Sequence, residues 1–139
     1  MATSSLTRRV TFAAAHRYRR PEWDDAKNEA VFGACARAAY HGHTYTCDVT
    51  VRGAIDDVTG MIVDLRLVDA AIAAEVTERF DHRNLSTDVE EFADGRAIPT
   101  CENIARLVAT RVQAALGGAA TVCAVTVSES PTLSATWRE

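Results

Sequence analysis

The chain has few of the features that mark export, membrane insertion or nucleic-acid binding. It holds a single lysine, Lys27, and a net charge of -4 at pH 7 with a pI near 5.5, which argues against a nucleic-acid surface. No apolar run approaches the roughly 20 residues of a membrane span. The first residues also lack the basic-then-apolar order of a signal peptide. We therefore expect a cytoplasmic protein without a nucleic-acid or membrane partner.

Paired CxxC spacings are missing as well. The four cysteines are isolated from one another, and with no export signal they are expected to be reduced. Cys47 and Cys123 lie in apolar strand-like segments, where a small buried thiol is expected. The 139 residues, 47% of them hydrophobic and 24% charged, predict one globular domain spanning residues 1–139.

Two histidines separated by one residue, His41 and His43, begin a segment with the pattern of a half-buried strand. Successive side chains of a strand point to opposite faces, so both imidazoles share a face with Tyr45, Cys47 and Val49. A His-x-His pair on one face supplies two candidate metal ligands, and a third must come from another part of the chain.

His16 ends an earlier apolar segment and shares a face with Phe12 and Ala14. If this strand pairs antiparallel with the one that begins at His41, the three histidines meet near one end of the sheet. Three neutral imidazoles suit Zn²⁺ at about 2.0–2.1 Å and leave one coordination position open, as in catalytic zinc sites. The alternative is that these are ordinary core or surface histidines.

The periodicity along the chain predicts strand, strand, helix, helix, strand, strand. Such an order without βαβ alternation indicates an α+β fold, an antiparallel four-stranded sheet with both helices on one face. Open sheet edges favour an oligomer. The predicted strands are 6–16, 43–53, 121–129 and 133–137, and residues 86–98 are a predicted polar loop. Residues 17–40 are a predicted irregular connection with a helical turn at 26–32. The predicted helices are 65–80, whose apolar stripe begins at Leu65, and 101–116, whose inward face ends at Ala115.

Three further groups could carry chemistry. Cys35, in the long 17–40 loop, could act as a thiolate base or nucleophile beside a cation, or be an incidental loop cysteine. Asp81 and His82 follow a helix, where they could shuttle a proton or simply form a solvated cap. Glu129 shares the predicted inner face of Val125, where it would either accept hydrogen bonds from an N–H-rich ligand or reach solvent.

Seven segments in order resemble the family of 6-pyruvoyl tetrahydropterin synthases and 6-carboxytetrahydropterin synthases. Their sequences are FAAAH (12–16), NE (28–29) with FGAC (32–35), HGHTY (41–45), GMIVDL (60–65), FDHRNL (80–85), PTCEN (99–103) and SES (128–130). Each is weak alone, but their order and compatible spacing along nearly the whole chain are highly specific.

The resemblance implies a tunnelling fold (T-fold) of ββααββ units, in which three subunits close a barrel and two trimers form a homo-hexamer with active sites between subunits. It also implies roles for residues of this chain. Zn²⁺ would be bound by His16, His41 and His43; Cys35, Asp81 and His82 would be catalytic; and Glu129, Thr100, Cys101 and Glu102 would bind the pterin.

The implied activity is that of a carbon–oxygen lyase acting on 7,8-dihydroneopterin triphosphate. It would eliminate triphosphate with an internal redox shift and give 6-pyruvoyl-tetrahydropterin. The six-residue step from Cys35 to His41 resembles the pyruvoyl branch. With Lys27 as the only lysine, triphosphate binding would depend on arginines such as Arg17 or Arg19.

Three alternatives remain open. One is a 6-carboxy-5,6,7,8-tetrahydropterin synthase of the queuosine (7-deazapurine) pathway, since loop length is a weak criterion. Another is a non-catalytic zinc- and pterin-binding T-fold module, although neither Cys35 nor His82 is replaced. A zinc hydrolase is the third, but the chain has no His-Glu-x-x-His helix.

Overall fold

Two long strands near the N-terminus form the centre of the sheet. The computed structural model describes residues 2–139, and β1 (Thr3–His16) pairs antiparallel with β2 (His41–Ala54) from Thr3↔Ala54 to His16↔His41. The remaining strands are β3 (Arg83–Asn84), β4 (Thr121–Ser130) and β5 (Leu133–Arg138), and the order across the sheet is β3-β1-β2-β4-β5. The register places His16 directly opposite His41 at one end of the sheet.

The four long strands are antiparallel, as the sequence predicts. The two-residue strand β3 was not predicted, and it makes the sheet five-stranded by pairing parallel with Ala14 and Ala15. A strand of two residues shows no hydrophobic periodicity, so the sequence pattern could not predict it. Its position matters, because it follows Asp81 and His82 and fixes them beside the edge of β1.

The main helices cover one face of the sheet. The helical segments of the chain are α1 (Asp25–Phe32), α2 (Leu65–Ile72), α3 (Glu78–Phe80), α4 (Leu85–Asp88) and α5 (Cys101–Leu116), and a π-helical turn (Ala73–Thr77) joins α2 to α3. The predicted helix 65–80 is therefore continuous, with its first predicted inward residue, Leu65, 39% exposed. A long α2–α3 helix and α5 pack on the sheet as the two predicted helices.

Alternation along the strands separates the core from a polar outer face. Tyr45, Cys47, Val49 and Val51 are fully buried against the helices. On the opposite face, Thr and charged side chains pair across neighbouring strands, as in Thr7–Thr50, Thr126–Thr136 and Arg9–Asp48. The amphipathic sheet explains why both helices lie on one side.

The ends of α5 follow from its sequence. The Thr100 hydroxyl accepts a hydrogen bond from the backbone N–H of Asn103 and satisfies one donor of the first turn. Gly117 ends the helix with a φ of 57°, a conformation that favours glycine. Ile104, Val108 and Val112 are fully buried, whereas Ala115, predicted to face inward, is exposed.

The segment 86–98, predicted to be a polar loop, is irregular apart from the end of α4 and a 3-10 turn (Ala93–Gly95), but it is not polar throughout. Val89 and Phe92 from this segment are buried in the core, next to the α4 residue Leu85. Isolated apolar residues among polar ones have no recognisable period, so the sequence pattern concealed their burial.

The predicted inner face of β4 is also corrected in part. Val125 and Val127 are fully buried, but Val122 takes the inward position expected of Cys123, which is half-buried. The cause is a break in the β2–β4 register, where Thr50 pairs with Ala124 and the next residue pairs with Val122.

None of the helices in residues 2–139 has the length and apolar character to cross a membrane.

Candidate active site at the end of the sheet

The three predicted metal ligands meet. Strand pairing brings His16 beside His41, while His43 lies one pleat further along β2 opposite Ala14. The ring centre of His16 lies 4.6 Å from the ring centre of His41 and 5.1 Å from that of His43. The ligand-capable atoms of all three residues fall within 4.8 Å of one another, so the cluster could hold one metal ion.

His16 is held in one orientation by a backbone acceptor. Its Nδ1–H donates a hydrogen bond of 2.9 Å to the carbonyl oxygen of Pro99, which has no hydrogen to donate in return. The ring is fully buried, and its burial lowers the pKa of His16 to about 4. The neutral ring with Nδ1 protonated leaves the Nε2 lone pair available to a metal, the arrangement that fixes metal-bound imidazoles in proteins.

The other two imidazoles also have features that suit a metal ligand. Burial, reinforced by the neighbouring His43, lowers the pKa of His41. The Nε2 atom of His43 is shielded from solvent and has no hydrogen-bond partner in the described chain. Shielded polar atoms are normally satisfied, so a cation between these rings would fit the donor set and account for the unpartnered nitrogen.

Glu129 faces the same space from β4. Its Oε2 lies 4.0 Å from Nε2 of His16 and 3.9 Å from Nε2 of His43, and the side chain is 13% exposed. The carboxylate therefore lies just beyond hydrogen-bond distance of both rings and projects over the cluster. It leaves acceptor capacity for a ligand with N–H donors.

Cys35 lies beside the cluster on a 3-10 turn (Gly33–Ala36) that follows α1. Its backbone oxygen accepts a hydrogen bond of 2.8 Å from the N–H of Tyr18, and the Tyr18 ring packs edge-on against His16 at 5.1 Å. Gly33 permits the sharp change of direction out of α1, with a φ of 61°. Cys35 is half-buried at this position.

The site also contains two tyrosines that the sequence analysis did not assign to it. The Tyr45 hydroxyl lies 3.0 Å from Nδ1 of His16, and Tyr18 covers the other side of that ring. Burial and then the charge of Glu129 raise the pKa of both phenols, with Cys101 and Cys35 adding to the effect. Both tyrosines could have been assigned from the alternation of side chains along an extended chain, because Tyr45 lies two residues after His43 and Tyr18 two residues after His16.

The first turn of α5 contributes Cys101. Its buried thiol donates to Oε2 of Glu129 at 3.7 Å, and burial followed by the Glu129 charge raises the pKa of Cys101 to about 12. Thr100 caps the helix, and Glu102 is exposed on its first turn. Of these three predicted substrate-binding residues, only Cys101 contacts Glu129 through its side chain.

Asp81 and His82 occupy a different place, at the outer edge of β1. Asp81 Oδ1 accepts a hydrogen bond of 2.9 Å from the N–H of Ala13, and the N–H of His82 donates to the Ala13 oxygen at 2.7 Å. His82 has a φ of 59°, and its side chain is 83% exposed with Nδ1 3.0 Å from Asp81 Oδ2. Within the described chain, no hydrogen bond or ion pair links this pair to the histidine cluster.

The Asp81–His82 pair is nonetheless organised for proton transfer. The Ala13 N–H, followed by His82, lowers the pKa of Asp81 and keeps it a carboxylate. A carboxylate that accepts from Nδ1–H leaves Nε2 of His82 to take up or release a proton. The chain therefore has a histidine cluster that could hold a metal ion, a thiol near this cluster, and an exposed acid–imidazole pair at the edge of β1.

Comparisons with known proteins agree with this arrangement of residues. The sequence model described as "6-pyruvoyl tetrahydropterin synthase" matches residues 5–139. A Drosophila melanogaster relative named 6-pyruvoyl tetrahydrobiopterin synthase is 40% identical over 126 residues, 91% of this chain and 74% of that protein. A Bacillus subtilis relative named 6-carboxy-5,6,7,8-tetrahydropterin synthase is 35% identical over 105 residues, 72% of this chain and 67% of that protein.

The fold comparison agrees. The solved structure of Caenorhabditis elegans 6-pyruvoyl tetrahydropterin synthase superposes on this chain with a TM-score of 0.93 at 31% sequence identity. The superposition covers 100% of this chain and 97% of the other. The predicted α+β T-fold is thereby confirmed.

Proposed function

The chain belongs to the 6-pyruvoyl tetrahydropterin synthase family, a family of enzymes, and from that premise we propose that it is a zinc-dependent pterin synthase. Its substrate is 7,8-dihydroneopterin triphosphate, and its product is 6-pyruvoyl-tetrahydropterin. The reaction eliminates triphosphate and moves electrons within the substrate, so it needs no external electron carrier. The observation that carries the proposal is the cluster of three imidazoles facing the Glu129 carboxylate.

His16, His41 and His43 would hold the zinc ion. Their donor set, the fixed tautomer of His16 and the unpartnered Nε2 of His43 all fit a divalent cation that prefers nitrogen ligands. When bound there, zinc would polarise a side-chain oxygen of the substrate and acidify the adjacent C–H bond. The rings of His16 and His41 would remain neutral, as their lowered pKa values favour.

Glu129 would anchor the pterin ring. The ring carries an amino group and an adjacent ring N–H on one edge, and a carboxylate can accept both hydrogen bonds side by side. Because Glu129 Oε2 is within 4.0 Å of the His16 and His43 nitrogens, a ring anchored there would extend its side chain across the cluster. Cys101 and the neighbouring Thr100 and Glu102 would line the same pocket.

Cys35 would remove the proton from the substrate side chain. It is the half-buried thiol beside Tyr18 and the cluster, whereas Cys101 has its pKa raised to about 12 and would stay a thiol. His82, oriented by Asp81, would exchange a proton on the other side of the substrate. General acid–base groups of this kind contribute typically about 10²–10⁴-fold to a rate.

The position of His82 supports a site shared between copies of this chain. The side chain is 83% exposed, and no hydrogen bond or ion pair joins it to the cluster of its own chain within residues 2–139, although it lines an open surface cavity together with His43. We propose that it reaches the cluster of a neighbouring subunit in a homo-hexamer built from two trimers. The unpaired outer edge of β5 and the polar outer face of the sheet are consistent with closure of several sheets into a barrel.

The carboxy synthase reaction is the second candidate, because the Bacillus subtilis relative bears that name. The Drosophila relative has the higher identity and the greater coverage of this chain, and the Cys35-to-His41 spacing agrees with the pyruvoyl branch. Both reactions start from the same substrate and differ in the fate of its side chain.

Product analysis tests the proposal. The purified enzyme, with its metal content measured, is incubated with 7,8-dihydroneopterin triphosphate, and the products are identified by mass spectrometry. Release of triphosphate with a pyruvoyl pterin supports the proposal. A carboxy pterin with acetaldehyde assigns the second candidate, and an unchanged substrate with zinc-loaded enzyme contradicts both.

A further inference from the structure

A cavity is lined by residues that adjoin the histidine cluster in the chain. It has a volume of about 210 Å³, and its lining includes Arg17, Arg19, Tyr40, Ser86 and Asp94. Sites that take a whole small molecule measure roughly 300–1,000 Å³. This cavity therefore suits one group of a ligand whose remainder lies outside it.

The cavity and the cluster share their walls. Arg17 follows the ligand His16, Tyr40 precedes the ligand His41, and both line the cavity. Pro99, whose oxygen fixes the His16 ring, lines it too. Each of these lining residues is therefore a chain neighbour or a hydrogen-bond partner of a histidine of the cluster, so the cavity and the cluster are built from the same segments.

Arg17 is the unusual charge of this cavity. Its Nε is shielded from solvent without a hydrogen-bond partner, and within residues 2–139 it forms no ion pair. The other arginines that lack a carboxylate partner in the described chain are all exposed: Arg37, Arg83, Arg106 and Arg138. A half-buried guanidinium is stable only with compensation, so the absence of a carboxylate beside Arg17 points to an external anion.

The backbone that carries this guanidinium is held in place, and the guanidinium lies near an aromatic ring. The Arg17 backbone exchanges two hydrogen bonds with the Ser86 hydroxyl, of 3.0 and 3.2 Å. The guanidinium carbon lies 5.8 Å from the centre of the Tyr40 ring. Nearby, Arg19 is already paired with Asp25 at 2.7 Å. Arg17 is thus the fixed and uncommitted cation, and a planar guanidinium matches phosphate oxygens in a bidentate manner.

We propose that this cavity is an anion subsite in which Arg17 binds the phosphate-bearing end of the substrate. This inference rests on the proposed function. The ring end would lie at Glu129, the reacting side chain across the histidines, and the phosphate tail beside Arg17. The opposing charge is Asp94, an exposed residue of the lining, whose repulsion is screened by solvent.

Inorganic triphosphate serves as the probe of the phosphate chemistry alone. Its binding to metal-loaded enzyme is measured by titration calorimetry, with metal content determined before and after. Arg17→Gln should weaken binding by about tenfold or more, because a charge-assisted bidentate contact is lost. Arg106→Gln, on the exposed face of α5, is the matched control and should leave binding unchanged.

Two more variants separate a charge effect from a loss of folding. Arg17→Lys keeps the charge without the planar fork and should recover part of the affinity. Asp94→Asn removes the opposing carboxylate and should tighten binding by about twofold to fivefold. Asn tolerates the φ of 54° at this position, so the backbone is preserved.

Steady-state kinetics then identify the source of the phosphate. Arg17→Gln should raise the KM for dihydroneopterin triphosphate and leave the binding of unphosphorylated dihydroneopterin, an inhibitor or poor substrate, unchanged. Unaltered triphosphate binding in Arg17→Gln would overturn the subsite even if the enzyme makes the pyruvoyl product. Weaker inorganic triphosphate binding with an unaltered KM would overturn its assignment to the substrate tail. Arg17-dependent binding in an enzyme without pterin turnover would instead refute the proposed function and leave an anion site.

Discussion

The Nδ1–H of His16 donates to the carbonyl oxygen of Pro99 at 2.9 Å, although the two residues are 83 positions apart in the chain. This bond joins the end of β1 to the segment that opens α5. It selects the tautomer that leaves Nε2 free, and it connects the two walls of the site. The geometry of the histidine cluster therefore depends on the placement of the segment before α5, as well as on the β1–β2 pairing.

The buried state of His16 predicts a pH-dependent stability in the metal-free protein. Burial lowers its folded-state pKa to about 4 from 6.5, so the unfolded chain takes up the proton first as the pH falls. The stabilisation is complete above pH 6.5 and is lost as the pH falls through 4. It amounts to about 3 kcal/mol.

The measurement is urea unfolding of chelator-treated wild type and His16→Gln between pH 7.5 and pH 4. Gln lacks a titrating group but can still donate to the Pro99 oxygen, so the difference between the two free energies of unfolding isolates the imidazole. That difference should shrink towards acid pH. A difference independent of pH would show that His16 is not buried in its neutral form.

Replacement of His43 tests the metal cluster directly. His43→Ala should reduce bound zinc from about one equivalent per chain to a small fraction, because two protein ligands hold zinc poorly. His82→Ala is the matched control, since His82 is exposed at the edge of β1. Metal content is measured by plasma mass spectrometry after dialysis. Equal losses in the two variants would contradict the assignment of the cluster.

Glu129→Gln tests the proposed pterin anchor. The amide keeps the size of the carboxylate but loses its charge and one acceptor oxygen, so we expect the KM for the pterin substrate to rise about 10- to 100-fold. Zinc content should be unchanged, since Glu129 lies 3.9–4.0 Å from the imidazole nitrogens. Glu78→Gln on α3, an exposed position, serves as control. Loss of zinc without a change in KM would make Glu129 a metal ligand instead.

Much of the site was predictable from local pattern. His41 and His43 lie on one face because side chains alternate, and His16 has the matching parity on the strand that pairs with theirs. The helix 101–116 carried its own start and stop residues, Thr100 and Gly117. These features depend on neighbours within a few positions, which a single sequence displays.

The features that were missed depend on distant or irregular contacts. The bulge that turns Val122 inward instead of Cys123 arises from a register shift between β2 and β4, which alternation within one strand cannot reveal. Burial of Val89 and Phe92 depends on how the loop folds over the core. The position of His82 at the outer edge of β1 is set by contacts with Ala13, 69 positions earlier in the sequence.

The cysteines should differ sharply in reactivity. Burial raises the pKa of Cys47 and, together with Glu129, that of Cys101 to about 12, so at pH 8 roughly one thiol in ten thousand is ionised at either position. Iodoacetamide at pH 8 should therefore modify only the half-buried Cys35 and Cys123. Peptide mass mapping identifies the modified cysteines. The Cys123→Ser enzyme should still be inactivated by iodoacetamide, at the same rate as Cys35 is labelled. Rapid labelling of Cys101 would contradict this order.

A site shared between subunits predicts complementation by mixed oligomers. Cys35→Ala leaves His82 intact, and His82→Ala leaves the thiol and cluster intact, so each homo-oligomer should lose activity by about 10²–10⁴-fold. Co-expressed in equal amounts, the two chains should regain roughly a quarter of wild-type activity, because that share of interfaces joins an intact thiol to an intact His82. Differently tagged chains allow purification of mixed oligomers, and a mixture of Cys35→Ala with Cys35→Ala,His82→Ala should stay inactive. Failure to regain activity in verified mixed oligomers would place both residues in a site within one subunit, against the 83% exposure of His82 at the far edge of β1.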